Sequence, residues 1–285
     1  MQQPSGTNKE ISARRGFFRA GLRILWSWLS NRQLAAALIR REIQTRYRGS
    51  VLGMLWSILS PLVLLLTYTL VFSVFFRNKW GEGLEWPGSF TVMLFCGMIP
   101  FNFFSDVVAR SPMLILGSPN YVKRVSFPVE LLPIVSTAAA LFNAAISTCL
   151  LLAAILLLKG SWPVTLPAML LIWMPLVVFT VAVSLVLAAA SVFLRDLQHT
   201  VGLLLNVLFF LTPVFYPETL IPEKLRFMLY INPMAYVAVH SRRIAVLGVW
   251  PDLPRLALFT ALCLLLLWFA ASWFASVRRR FADVV

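Results

Sequence analysis

The chain has 285 residues, 60% of them hydrophobic and 13% charged, with a net charge of +14 at neutral pH. A soluble domain is nearer half apolar and a quarter charged, so a soluble globule of this composition would lack the polar surface to cover itself. The apolar runs are continuous rather than alternating, which excludes a β-barrel and leaves an all-α integral membrane protein.

The N-terminus, MQQPSGTNKEISARRGFFRAG, has no apolar core and no small-residue cleavage site. It does not read as a signal peptide, and the first span is expected to act as the uncleaved targeting signal. Residues 14–39 mix arginine with Phe, Leu and Trp at helical spacing. They predict an amphipathic helix or helix pair in the membrane interface. The alternative is a seventh, short span around 24–39, interrupted by Asn31 and Arg32. Residues 1–50 thus form a cytoplasmic N-terminal arm, and 51–285 a six-span domain.

Six stretches are long and apolar enough to cross, at about 20 residues each. They lie at about 53–76, 89–108, 130–158, 164–193, 198–216 and 254–277. Lys and Arg orient them. Residues 1–50 carry ten basic and two acidic residues, and the loops on the same side add Arg110, Lys123, Arg124, Arg195 and Arg278 to Arg280. That side is cytoplasmic, and six spans place both termini there. Arg40, Arg41, Arg46 and Arg48 abut the first span, where they hold its start against anionic headgroups. The +14 is therefore assigned to membrane lipids, with no nucleic acid expected.

Two loops stand out. Residues 109–128 are cytoplasmic, hold Gly117, Pro119 and Pro128, and leave room for a short helix between breakers. Residues 217–250 hold two segments split by Asn232-Pro233, each too short and charged to cross. They predict an outer re-entrant or surface hairpin of two short helices, whose non-helical backbone must be buried in protein or line a wet cavity.

Catalytic chemistry is missing from the sequence. It contains no GxxxxGK[ST], HExxH or GxSxG, and its two histidines, His199 and His240, have no acidic neighbour. No metal site is expected: Cys96, Cys149 and Cys263 lie singly in apolar runs and read as packing residues. Asp106 stands near the inner end of the second span, with Arg110 at i+4, and reads as half of a local ion pair. The chain is not expected to be an enzyme, and its driving energy must come from a partner.

Four stretches resemble the ABC-2 type permeases, in particular those that export lipid-linked polysaccharide such as O-antigen. RREIQTRYRGSVLGMLWSILSPLVLLLTYTLVFS carries the R-Y-x-x-S-x-L-G pattern followed by Trp and Pro. SPNYVKRVSFPVELLP, LRDLQHTVGLLLNVLFFLTPVFYP and INPMAYVAVHSRRIAVLG follow in family order. The resemblance implies six spans, an interface helix, two outer gate helices, and a homodimer with two copies of a separate ATPase subunit. That partner would bind the ATP and Mg, with no cofactor in this chain. It also implies a bacterial inner-membrane location.

On that resemblance, 111–127 is expected to be a coupling helix, with Asn120, Tyr121, Lys123 and Arg124 facing the ATPase. The turn at Arg195 and Asp196 is a second candidate, or simply caps helices. Arg40, Arg41, Arg46 and Arg48 would shape the way in for an anionic lipid-linked head group. Aromatic side chains suit the C–H faces of sugars, so Tyr68, Phe72, Phe75, Phe76, Phe209 and Phe210 are candidates for a channel wall, or else face lipid. Asn232, Pro233, Arg242 and Arg243 would form the outer gate, through charge pairs, phosphate binding or capping. The expected cargo is an undecaprenyl-diphosphate-linked O-antigen. Capsule or teichoic acid polymers, and a drug or lipid, are alternatives within the fold, and a membrane glycosyltransferase or polymerase is the alternative outside it.

Overall fold

The computed structural model describes residues 26–71, 86, 88–123 and 127–284. Among them every regular element is helical. A helical turn at 26–30 leads into α1, Arg32–Tyr47. A 3-10 turn at Gly53–Leu55 opens α2, Trp56–Tyr68, and then α3 runs Ser89–Arg110. The short α4 and α5, Met113–Leu116 and Pro119–Val122, precede α6, Leu131–Lys159. Then come α7, Met169–Phe193, and α8, Leu197–Leu211. The short α9, Phe227–Ile231, leads to α10, Pro233–Arg242, and to α11, Leu253–Val277. A last turn, α12, covers Phe281–Val284.

Five of these helices are long and apolar enough to cross a membrane: Gly53–Val71, Ser89–Arg110, Leu131–Lys159, Leu166–Phe193 and Leu253–Arg280. They match five of the six predicted stretches, though residues 72–76 of the first lie outside the described residues. The fifth predicted stretch, 198–216, is shorter in the structure. Its helix stops at Leu211, because Thr212 precedes Pro213 and takes an extended conformation (φ −91°, ψ 130°). Proline clashes with an α-helical residue before it, and this forces the break. Fifteen residues rise only about 22 Å, short of a bilayer core of about 30 Å.

Residues 14–25 of the predicted interface helix lie outside the described residues, and α1 runs on to Tyr47, past the predicted end at 39. It carries Arg40, Arg41 and Arg46 on its own last turns rather than in a connector. Ala35 is its one buried residue, so the helix lies on the bundle and does not cross it.

Helix α3 is the hub. In its most apolar stretch 78% of residues are buried, against 6% for α2. A cluster including Phe95, Met98, Ile99 and Phe104 of α3, Leu151 and Ile155 of α6, Ile172 and Leu176 of α7, and Val237 of α10 forms the larger core. A second cluster fills the half nearer the charged loops, where Ala182, Ala188 and Ala189 of α7 meet Ala270 and Ala271 of α11, all at 0% exposure. Small side chains let the two backbones approach closely, which is how helices gain packing energy where lipid offers no hydrophobic drive. Hydroxyls inside spans bond back one turn: Thr137 to the Pro133 carbonyl, Thr148 to Ala144, Thr180 to Leu176 and Thr260 to Leu256. These four donors then do not face hydrocarbon unpaired.

At the charged end one buried carboxylate joins three distant segments. Glu130 is 2% exposed, and Arg278 Nη1 donates to both of its oxygens, at 2.9 and 2.8 Å. Ser27 Oγ donates to Oε1 at 3.0 Å. Removing Arg278 leaves that carboxylate buried without its cation, whereas Glu130→Gln keeps an acceptor and sheds the charge. Arg278→Ala is therefore expected to cost about 1–3 kcal/mol and Glu130→Gln less. Thermal unfolding of the two purified variants in detergent checks the order; equal losses would show that the pair is not what holds the segments.

Candidate functional site

The arginine-rich helix does more than sit at an interface. Arg46 Nη1 reaches Asp106 Oδ2 of α3 at 2.6 Å, and Arg110 Nε reaches Asp106 Oδ1 at 2.7 Å. The i+4 pair read from the sequence is present. Arg46 comes from 60 residues away, and no local spacing signals it. Its side chain is only 7% exposed, so this three-charge cluster fixes α1 against α3 from inside the fold. The next residue, Tyr47, donates to Asn143 Oδ1 of α6 at 2.8 Å. On the opposite edge Arg41 Nη1 donates to the Tyr121 hydroxyl at 2.8 Å, and the Tyr121 ring stacks on Phe127 with centroids 4.6 Å apart.

The structure thus brings two groups of sequence candidates together. Arg41, Asn120 and Tyr121 line one cleft of about 870 Å³ between α1 and the α4–α5 turn, with Glu42 beside them. Arg40, Arg48 and Lys123 are exposed, and Arg124 lies outside the described residues. Arg195 and Asp196 are exposed in the α7–α8 turn, where Asp196 occupies the N-cap of α8 without a side-chain capping bond.

The opposite end is built around a break and an arginine. Asn232 caps α10: its Oδ1 accepts from Met234 N at 2.9 Å, and its Nδ2 donates to Thr212 Oγ1 at 3.0 Å. Pro233 takes the first helical turn, where its missing N–H is not needed. At the last residue of α10, Arg242 is 3% exposed and its guanidinium faces backbone carbonyls. Nε donates to Met93 O of α3 at 2.8 Å, Nη1 to Pro213 O at 2.5 Å and Nη2 to Val214 O at 2.6 Å. Pro213 and Val214 are the residues where α8 has stopped, so their carbonyls lack helical partners. Gly97 makes room, because a Cβ there would stand 2.5 Å from Arg242 Nη2. Arg243 behaves differently, pairing with Glu218 Oε1 at 3.0 Å near the surface. Of the gate candidates, Asn232 and Pro233 cap, Arg243 makes a charge pair, and Arg242 bonds backbone carbonyls. Burial pulls the nearby His240 imidazole below its ordinary value, and its Nδ1 lies 2.9 Å from the Tyr236 carbonyl.

Residues 33–246 of this chain match the ABC-2 type transporter family. The chain belongs to that family. It is 34% identical to an O-antigen export system permease protein of Myxococcus xanthus, over 93% of this chain and 100% of that protein. An O-antigen export system permease protein of Klebsiella pneumoniae is 26% identical over 88% of this chain and 95% of its own. A polysialic acid transport protein of Escherichia coli is 28% identical over 80% and 88%.

In this ABC-2 chain the sequence's aromatic candidates divide. Tyr68 meets Phe215 with centroids at 5.7 Å, Phe215 meets Phe209 at 4.9 Å, and Phe209 meets Phe101 of α3 at 4.9 Å. Tyr68 and Phe209 therefore belong to one aromatic row that bridges α2, the broken end of α8 and α3. Phe210, 71% exposed, faces away from the bundle. Phe72, Phe75 and Phe76 lie outside the described residues.

The buried arginine predicts a paired outcome. Arg242→Lys keeps the charge and loses the fork, so about two charge-assisted bonds go and stability falls by about 3 kcal/mol. Gly97→Ala displaces the same guanidinium and is expected to mimic it, and the double variant should lose less than the sum. Thermal unfolding reads all three, and additive losses would refute a shared contact.

Proposed function

We propose that this chain is the membrane subunit of an ATP-driven exporter that moves lipid-linked polysaccharide of the O-antigen type across the bacterial inner membrane. The observation that carries it is the likeness to an O-antigen export system permease protein, over 93% of this chain and 100% of that protein. The polysialic acid transport relative favours a capsule polymer as the second reading.

In this reading the chain works as a homodimer with two copies of an ATPase subunit, which bind ATP and Mg. Helix α8, with the extended residues after it, is the sixth crossing, so both termini lie in the cytoplasm and the α9–α10 hairpin forms an outer gate. The cleft between α1 and α5 receives the ATPase. A push there reaches Tyr121, passes through the Arg41 bond to α1, and enters α3 through the Arg46–Asp106–Arg110 cluster. At its other end α3 holds Arg242 of the hairpin, which makes it a rigid body that touches both ends. The aromatic row of Tyr68, Phe215 and Phe209 offers sugars C–H stacking surfaces that tolerate sliding.

Depletion of the protein in its host, with labelled surface polysaccharide followed in cytoplasmic and outer fractions, tests the assignment. Accumulation of lipid-linked polymer inside is expected; loss of polymer synthesis would place the chain in assembly instead, and unchanged surface polymer would remove the glycan cargo. For the coupling path, Tyr121→Ala is expected to lower export about tenfold or more, at the 1.4 kcal/mol per decade that one lost hydrogen bond to a charged group supplies, with protein level unchanged. Wild-type export by that variant would exclude Tyr121 from the path.

A further inference from the structure

Beside the hairpin, two hollows open into one another. One, of about 370 Å³, carries the charged side chains of Glu218, Arg226, Arg243 and Arg255 in its wall. The other, of about 470 Å³, is apolar and runs down α11 past Leu258, Leu262 and Leu266. Tyr236 and Arg255 line both, so a single groove has a charged head and an apolar tail. From Arg255 to Leu266 is eleven residues of helix, a rise of about 16 Å. That is one leaflet's share of a hydrocarbon core of about 30 Å. The chain does not fill the tail, since Leu258 and Leu262 are 63% and 58% exposed along it.

The charges narrow the occupant. Each guanidinium already has a carboxylate nearby: Arg243 has Glu218 at 3.0 Å, Arg255 has Asp252 at 3.1 Å and Arg226 has Glu223 at 3.9 Å. The cluster is locally neutral, so it offers little to a headgroup of net negative charge. It does present both signs, because Glu218 lines the chamber with the three arginines. A headgroup with its own phosphate and ammonium answers both. At the junction of head and tail the Tyr236 hydroxyl is buried without a hydrogen-bond partner, at the level where a lipid's ester oxygens would lie.

We infer that this groove holds one glycerophospholipid of the phosphatidylethanolamine class. Its phosphate lies on Arg226 and Arg255, its ammonium donates to Glu218, and one acyl chain follows Leu258, Leu262 and Leu266. The lipid would seal α11 to the hairpin without locking it, because a fluid chain yields when α10 moves. The inference is separate from the glycan cargo and needs only that the hairpin stand at a membrane surface.

The test uses the purified full chain in detergent, presented with equal amounts of phosphatidylethanolamine, phosphatidylglycerol and phosphatidylcholine of identical acyl chains, and read by native mass spectrometry. Phosphatidylethanolamine is expected to be retained about tenfold over the other two, the share of one charge-assisted hydrogen bond. Phosphatidylcholine has the same net charge and no N–H to donate, so Glu218→Gln should abolish the preference between those two. Leu262→Trp should fill the tail and release every lipid. Arg255→Gln, at a residue that packs in no core, gives a second reading should the tryptophan variant unfold. Equal retention of phosphatidylcholine, or preference for phosphatidylglycerol, would overturn the inference. So would a disulfide between two copies bearing Leu258→Cys, since a second protein copy would then cover the groove.

Discussion

A hydrocarbon solvent leaves no backbone carbonyl free to find water, and that constraint organises this molecule. Helix α8 breaks at Thr212-Pro213, which strands carbonyls in a buried region. The repair comes from a side chain 28 residues downstream: Arg242 takes the Pro213 and Val214 carbonyls and then reaches across to Met93. A guanidinium is suited to this work, since its five donors lie in one rigid plane and its charge is too delocalised to be lost on burial. The same contact that satisfies the break also ties the hairpin to α3. Satisfaction of the backbone and attachment of the hairpin are thus one arrangement.

Helix α3 then acquires its place in the proposed coupling path from packing alone. Its two ends carry opposite kinds of polar contact. One end holds a carboxylate between two arginines, Arg46 and Arg110. The other gives a carbonyl to Arg242 and clears space at Gly97. Between them lies the most fully buried stretch of the chain. A densely packed rod of this kind is poorly compressible, so displacement at one end is passed on rather than absorbed. The lightly packed α2 is the contrast: its apolar surface turns outward, and it is joined to the rest mainly along α6 and through Tyr68.

Much was legible in the sequence because lipid makes apolar length an unusually direct signal. Five spans, the asymmetric basic residues, room for a short helix beside Gly117 and Pro119, and a break at Asn232-Pro233 all follow from local composition and breakers. Asp106 and Arg110 are four residues apart and could be paired by spacing. The family could be read from four motifs in order.

What the sequence determined by itself was therefore the class of protein, the family, and nearly every helix, since each depends on residues within one or two turns. Tertiary structure alone decided which charges meet. Arg46 and Asp106 are 60 positions apart, Arg41 and Tyr121 80, Arg242 and Met93 149. It also decided that Arg242 and Arg243, adjacent and chemically identical, do different work. One is turned into the bundle and the other toward Glu218, because neighbouring residues on a helix point about 100° apart. Which of the two would be buried depended on a glycine in another helix, and no local pattern encodes that.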